Sequence, residues 1–448
     1  MKKQITAFFL MGFLSVVPQM TLAFNMIEHT IKPEYYGAQN QEATYDLITD
    51  ILIITSKNEV SVKDVNKEMA GLYKYILGQM RRTPGNAAAS YPKYTVEVLQ
   101  SAPEKEGVVR ATIKMSAKGV FRQDQESYNF YVPLEQSKLW TQSKNLCTYD
   151  TGVDSGNFWY HWEPRMSGCP LIQGVHYNVV TAKLNYLPST NLTFPEYDKF
   201  DMADGTLKAT YMFGLESYTE TNWDANTSGD WGGIWYRQTR DFLQMELKFQ
   251  KRVWSDSEIA DLIGYEKPEG GKNWPTIEDF TLNTRKGQIR FRLFFGVSGI
   301  HNESTAFHQV LKDSLFFENV VFYSGHSGIG KNVDLSRIEK LRGTSLPLSR
   351  NYQIYFWGGC VPYSYYTDMF FTRKQNLTDP QGTEKLDIIA YGNESVFAAN
   401  DDQRLILALF NYMSGTKRTS YQEIIGQQDR YFLGVNGDED NPTEFIKD

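Results

Sequence analysis

The chain of 448 residues lacks the excess of basic residues on which most nucleic-acid-binding surfaces depend. It carries 46 Lys plus Arg against 53 Asp plus Glu, a formal charge of -7. No Lys/Arg cluster is interleaved with aromatic residues that could stack on bases, so we expect no nucleic-acid partner. The 41% of hydrophobic and 14% of aromatic residues are typical of a globular protein. At roughly 100–200 residues per domain, this length predicts two or three domains.

Long apolar runs are also absent after the first residues, and we therefore expect no transmembrane helix. The N-terminus has Lys2 and Lys3, an apolar stretch over residues 5–17, and Thr-Leu-Ala at residues 21–23. This order of a basic, an apolar and a small-residue segment is typical of a secretory signal peptide. The sequence thus predicts that residues 1–23 are removed and that the mature protein is secreted or periplasmic.

Cysteine is scarce, with Cys147, Cys169 and Cys360 as the three residues of this type. In an oxidising compartment Cys147 and Cys169, which are 22 residues apart, are close enough in sequence to form a local disulfide. Cys360 is left without a second cysteine with which to form a disulfide. An unpaired thiol in an exported protein is buried and inert, engaged in an intermolecular bridge, or kept for its reactivity.

The residue pattern predicts two regions of different architecture. Residues 24–198 begin with a polar segment, then show helical spacing over residues 61–82 and alternation typical of antiparallel strands up to about residue 192, which predicts an α+β domain. Residues 199–448 alternate strands with helices, which predicts a three-layer α/β domain with a mostly parallel sheet. Within it, residues 255–287 are rich in Gly, Pro and charge and are expected to form a loop.

Two apolar strands of the second region end in glycine-containing turns that carry a reactive polar side chain. Residues 320–323 lead into Ser-Gly-His-Ser-Gly, which contains His326, and residues 352–357 lead into Gly-Gly-Cys, which contains Cys360. Since function gathers at the carboxyl ends of parallel strands, we expect His326 and Cys360 to be neighbours. A thiol beside an imidazole is the basis of a cysteine nucleophile, and backbone N–H groups of these turns could stabilise an oxyanion.

These residues resemble the caspase-fold cysteine peptidases, the group that includes caspases, clostripain and gingipains. The resemblance covers mainly residues 289–366 and, loosely, residues 207–426. It implies a caspase-like fold, a protein or peptide substrate and no cofactor. It also implies that Cys360 is the nucleophile, that His326 protonates the leaving amine, and that the amides of Gly328 and Cys360 form the oxyanion hole. Ser327 stands where the family usually has Gly directly after the His.

Three other interpretations use the same part of the chain. His301, Glu303 and His308 lie close in sequence but lack the H-E-x-x-H spacing of a helical metal site, and we predict no metal. A serine nucleophile at Ser327 would need Gly two residues later, where Ile329 stands. The non-enzymatic alternative is a secreted or periplasmic binding or surface protein that carries a degenerate caspase-like domain, with some of its 28 Tyr and 9 Trp on a ligand surface.

Overall fold

Residues from Pro33 onward form one compact unit in the computed structural model. No helix among the described residues is long and apolar enough to cross a membrane. The predicted signal peptide, residues 1–23, lies outside them. The structure describes residues 37, 40–57, 59–80, 88–140, 146–148, 158–187, 193–217, 224–298, 305–393, 401–426 and 432–437.

The N-terminal region is an antiparallel sheet that packs against one helix. Its strand order is β2-β3-β1-β6, with β4 and β5 forming a separate two-stranded ladder. The apolar residues of the helix recur every three or four positions, and this face, from Val65 to Ile76, packs on Leu47, Ile51 and Ile113 of the sheet. The elements are β1 (Asn40–Ile54), α1 (Val62–Met80), β2 (Ala89–Lys105), β3 (Val108–Arg122), β4 (Ser127–Pro133), β5 (Tyr177–Lys183) and β6 (Asn185–Tyr186).

A disulfide joins Cys147 to Cys169 in this region, with the two Cα atoms 4.8 Å apart. The pair lies beside the fully buried Trp162 and the buried ring of Tyr75. The disulfide therefore fastens a segment in which the described residues 158–169 contain one short helical turn, Phe158–His161.

The second region is built on a sheet of eight strands in the order β14-β13-β12-β11-β7-β10-β9-β8. Five neighbouring strands, from β13 to β10, run parallel, and β14, β9 and β8 pair antiparallel at the two ends. The mostly parallel α/β architecture that the sequence predicts is confirmed. The strands are β7 (Thr206–Gly214), β8 (Gln250–Val253), β9 (Thr276–Thr284), β10 (Gly287–Gly296), β11 (Val320–Ser324), β12 (Gln353–Trp357), β13 (Leu386–Tyr391) and β14 (Leu433–Asn436).

Helices cover both faces of this sheet because successive strand residues point to opposite sides. In β11, Val320 and Phe322 join one core with α2, α8 and α9, whereas Val321 and Tyr323 join the other core with α3, α4, α5 and α7. The helices are α2 (Trp231–Asp241), α3 (Asp256–Ile263), α4 (Thr305–Phe317), α5 (Leu335–Arg342), α6 (Pro362–Tyr365), α7 (Thr367–Lys374), α8 (Asp401–Ser414) and α9 (Tyr421–Ile425). Tyr197, just before the predicted domain boundary at residue 198, is fully buried in the first of these cores.

The segment 255–287 is not the loop that its composition predicts. It contains α3 and β9, and a short 3-10 turn, Glu269–Gly271, lies in the stretch between them. A capping box of Ser255 and Glu258 begins α3, and Gly264 in the left-handed conformation ends it. In β9 the acidic residues Glu278 and Asp279 are buried. The charged composition of this segment therefore predicts a loop where the chain forms a strand.

Candidate active site at three adjacent strand ends

Three neighbouring strands end at the same edge of the large sheet and carry a polar side chain just beyond their ends. The pairing of β7 with β11 reaches Phe213 and Ser324, and that of β11 with β12 reaches Tyr323 and Trp357. Glu216, His326 and Cys360 follow these three strands within two or three residues. The strands that lead to His326 and Cys360, β11 and β12, pair directly with each other.

His326 is held from the β7 side by one of its two ring nitrogens. Nε2 lies 2.8 Å from the backbone oxygen of Glu216 and 3.1 Å from the carboxyl Oε2 of the same residue. Since a carbonyl oxygen can only accept, Nε2 carries the hydrogen and donates it. In a neutral ring Nδ1 then bears the lone pair, which is the form that a general base requires. The side chain is 37% exposed, so a molecule from solvent could reach it.

Glu216 is almost enclosed, with its side chain 9% exposed. Burial, together with the nearby charge of Asp230, raises the pKa of Glu216 to about 8. Asp230 caps α2 through the amide of Gly232 and also accepts from the amides of Glu216 and Ser217 at 2.7–3.1 Å. Glu216 is therefore a neutral carboxyl group at pH 7 beside the His326 ring.

The turn that bears His326 is fastened through its own backbone. The His326 carbonyl oxygen accepts from the Tyr323 hydroxyl at 2.7 Å and from the Asn332 side-chain amide. Ile329 in this turn has φ 55°, a left-handed conformation that is strained for a β-branched residue. Strain of this kind is often stored at functional sites, where surrounding structure fixes it.

The turn that bears Cys360 lies directly against the turn of His326. The amide of Gly358 donates to the Tyr323 oxygen at 2.7 Å, and a Cβ atom on Gly359 would lie 2.5 Å from the Gly325 oxygen. Only glycine permits this approach, because Gly359 also has φ 128°. Val361, the next residue after Cys360, is a second β-branched residue in the left-handed region, at φ 58°. Cys360 itself is partly exposed and forms no disulfide.

Glu216 is the site residue that sequence reasoning missed. The signal that identified His326 and Cys360, a polar residue just after an apolar strand, also applies to Glu216, which follows β7. The missing information was the strand order, since only the pairing of β7 with β11 brings Glu216 beside His326.

The rival groupings are dispersed where the structure describes them. His308 is buried on α4, and its Nδ1 accepts from Nε of Arg342 at 2.8 Å, while His301 and Glu303 lie outside the described residues. No group of three or more His, Cys, Asp and Glu side chains in the described part of the chain could hold a metal ion. Ser327, the alternative nucleophile, is buried, with only 2% of its surface exposed.

Comparison with known proteins gave no relative: no protein-family model, no curated protein and no solved structure matches the chain.

Proposed function

We propose that the protein is an exported cysteine peptidase that hydrolyses peptide bonds through Cys360 and His326. The observation that carries the proposal is the contact of His326 Nε2 with Glu216, made where β11, the strand leading to His326, lies between β7 and the strand leading to Cys360. That contact leaves Nδ1 as the nitrogen that can exchange a proton with a thiol or a leaving group.

In the proposed reaction the Cys360 thiolate attacks the carbonyl carbon of the substrate, while the thiol proton is held by His326. The amides of Gly328 and Cys360 donate to the oxyanion of the tetrahedral intermediate. The carbon–nitrogen bond then breaks, and His326 gives its proton to the leaving amine. Water, deprotonated by His326, hydrolyses the thioester and releases the acid and the free thiol.

Glu216 acts as a positioning residue in this scheme. Its carbonyl oxygen fixes the orientation of the His326 ring, and its neutral carboxyl lies close enough to share the Nε2 hydrogen. A carboxyl that is neutral in the resting protein does not trap His326 as a permanent ion pair, so the ring can change its charge during turnover.

The fold and the disulfide give further support. Helices cover both faces of a mostly parallel sheet, and the nucleophile and base follow adjacent strands, which is the arrangement that the resemblance to caspase-fold peptidases implies. The Cys147–Cys169 disulfide is compatible with an exported protein.

Alkylation of Cys360, the one cysteine outside the disulfide, tests the proposal. Iodoacetamide labelling of Cys360 in the folded chain, followed by mass spectrometry from pH 5 to pH 9, reports how readily the thiolate forms. We expect the half-maximal rate below about pH 8.5, the ordinary thiol value, because an imidazolium stabilises the thiolate. His326→Gln should slow labelling at pH 7 at least tenfold. His176→Gln, in the N-terminal region, is the matched control and should leave labelling unchanged.

Peptide hydrolysis provides the second readout. A mixed peptide library should be cleaved by the wild-type chain and not by Cys360→Ser. Equal labelling in the wild type and in His326→Gln, together with no cleavage, would overturn the proposal and favour the non-catalytic binding protein with a degenerate caspase-like domain.

A further inference from the structure

The segment that follows Cys360 crosses from the candidate site to the N-terminal sheet. After Val361 the chain forms the single turn of α6, which contains Tyr363 and Ser364. The Tyr363 hydroxyl donates to Glu42 Oε1 on β1, and the Ser364 hydroxyl donates to the Ser90 oxygen on β2 at 2.7 Å. Tyr363 and Ser364 stand three and four positions after Cys360. Each is therefore held by a residue of the N-terminal sheet that is more than 270 positions away in sequence.

The group that accepts the Tyr363 hydrogen bond is the carboxylate of Glu42, which is almost completely buried. The Glu42 side chain is 1% exposed, and Lys118 Nζ, itself 11% exposed, lies 3.0 Å from it. Burial and the charge of Glu42 raise the pKa of Tyr363 well above its ordinary value, so its hydroxyl keeps the hydrogen that it donates. A buried carboxylate depends on every partner, and movement of Tyr363 would leave Glu42 with fewer hydrogen bonds.

The next two residues bind the other side of the site. The Tyr366 hydroxyl donates to the Ser327 oxygen at 2.9 Å. A Cβ atom on Gly330 would lie 3.1 Å from the Tyr365 ring, so this ring covers the turn that bears His326. Four consecutive residues, 363–366, thus connect the N-terminal sheet with the turn of His326, immediately after the turn of Cys360.

Further contacts strengthen the same connection. Asp368, at the start of α7, accepts from the Tyr91 hydroxyl at 3.0 Å and pairs with Lys93 Nζ at 2.6 Å. An apolar cluster is shared between the two regions and contains Ala89, Tyr91, Val120, Tyr363 and Phe432.

We infer that Tyr363 is a positioning residue for Cys360, through which the N-terminal sheet sets the place of the thiol relative to His326. The N-terminal region is then a built-in part of the site, and its buried Glu42 is the anchor. The catalytic meaning of this connection rests on the proposed function. The connection itself predicts a local change in backbone motion whether or not the thiol is catalytic.

Hydrogen exchange and alkylation of the full-length chain test the inference together. Tyr363→Phe removes the bond to Glu42 and keeps the ring. Tyr421→Phe is the matched control, since Tyr421 also donates to a buried carboxylate, that of Asp387, at the opposite end of the sheet strands. We expect Tyr363→Phe to speed amide exchange in segments 326–333 and 358–366 at least tenfold. It should also slow iodoacetamide labelling of Cys360 at least threefold and move the labelling midpoint to higher pH. Tyr421→Phe should leave both segments and the labelling within twofold of the wild type.

Unchanged exchange in folded Tyr363→Phe, or the same change in Tyr421→Phe, would overturn the inference. If Tyr363→Phe does not fold, Ser364→Ala tests the inference in its place. We expect Ser364→Ala to speed amide exchange in the same two segments, and unchanged exchange would refute the inference. Failure of the proposed function has a different signature. In that case His326→Gln leaves labelling unchanged while Tyr363→Phe still speeds exchange.

Discussion

Replacing Glu216 by Gln should remove a pH dependence of stability that this one carboxyl creates. In the unfolded chain a glutamate loses its proton near pH 4.5, whereas burial and Asp230 keep Glu216 protonated up to about pH 8. Between these values the unfolded state binds fewer protons than the folded state. The free energy of unfolding therefore falls as pH rises, by about 1.4 kcal/mol per pH unit, and the fall ends above the folded pKa.

Gln has nearly the same shape as Glu but does not ionise. The free energy of unfolding of Glu216→Gln should therefore lack this fall with rising pH. From pH 5 to pH 7 the stability of the variant relative to the wild type should rise by about 3 kcal/mol. Because the Glu216 side chain is only 9% exposed, little solvent screening is available to reduce this figure. Urea unfolding at pH 5, 6, 7 and 8, at constant ionic strength, measures the difference.

The Glu246→Gln variant, at an exposed position, is the control for removing one negative charge, and it should not reproduce the pH-dependent gain in stability of Glu216→Gln. A parallel pH dependence in the wild type and Glu216→Gln would refute the reasoning. It would mean that Glu216 is already ionised at neutral pH, as in a lasting ion pair with a protonated His326.

Three further predictions concern other parts of the structure. Reducing the disulfide of Cys147, which closes a loop of 22 residues, should lower the free energy of unfolding by about 3 kcal/mol, measured by urea unfolding with and without dithiothreitol. Gly359→Ala should abolish the labelling of Cys360 and lower the melting temperature, because its Cβ would lie 2.5 Å from a carbonyl oxygen. Gly107→Ala, at φ 75° with open space around it, should cost only about 1 kcal/mol, and an equal loss in both would contradict the steric argument. Arg290→Met should cost about 3 kcal/mol, since it leaves buried Glu318 without its ion-pair partner, and a stability unchanged in urea would show that the pair contributes nothing.

The strands that carry the site are predictable because their signal is local. Residues 320–323 and 352–357 are short apolar runs that are followed closely by glycine. Such a run is the main sequence signal of a buried parallel strand. The role of Glu216 is not local. It depends on the pairing of β7 with β11, which brings together residues 110 positions apart, and on burial that no single segment reveals.

The strands β9 and β1 are not recognised from the sequence pattern for a related reason. In β9, Asp279 and Glu278 are buried with ion pairs to Arg292 and Lys251 on neighbouring strands, so charge that indicates a loop is neutralised across the sheet. In β1, polar residues such as Asp50 pair with Arg110 on β3. Composition within a segment cannot show partners that only the tertiary structure supplies.

The outermost strand, β8, has a consequence for self-association. A strand at the border of a sheet has unpaired backbone groups that a second chain could extend. β8 is only four residues long and exposed along its length, and Lys251 and Arg252 in it pair with Glu278 and Asp279 of its neighbour at 3.4 and 3.6 Å. Another chain that docked there would have to remove water from two cations, Lys251 and Arg252, and would meet Val253 as the one apolar side chain of the strand. The sheet can therefore remain open at this border without becoming a template for aggregation.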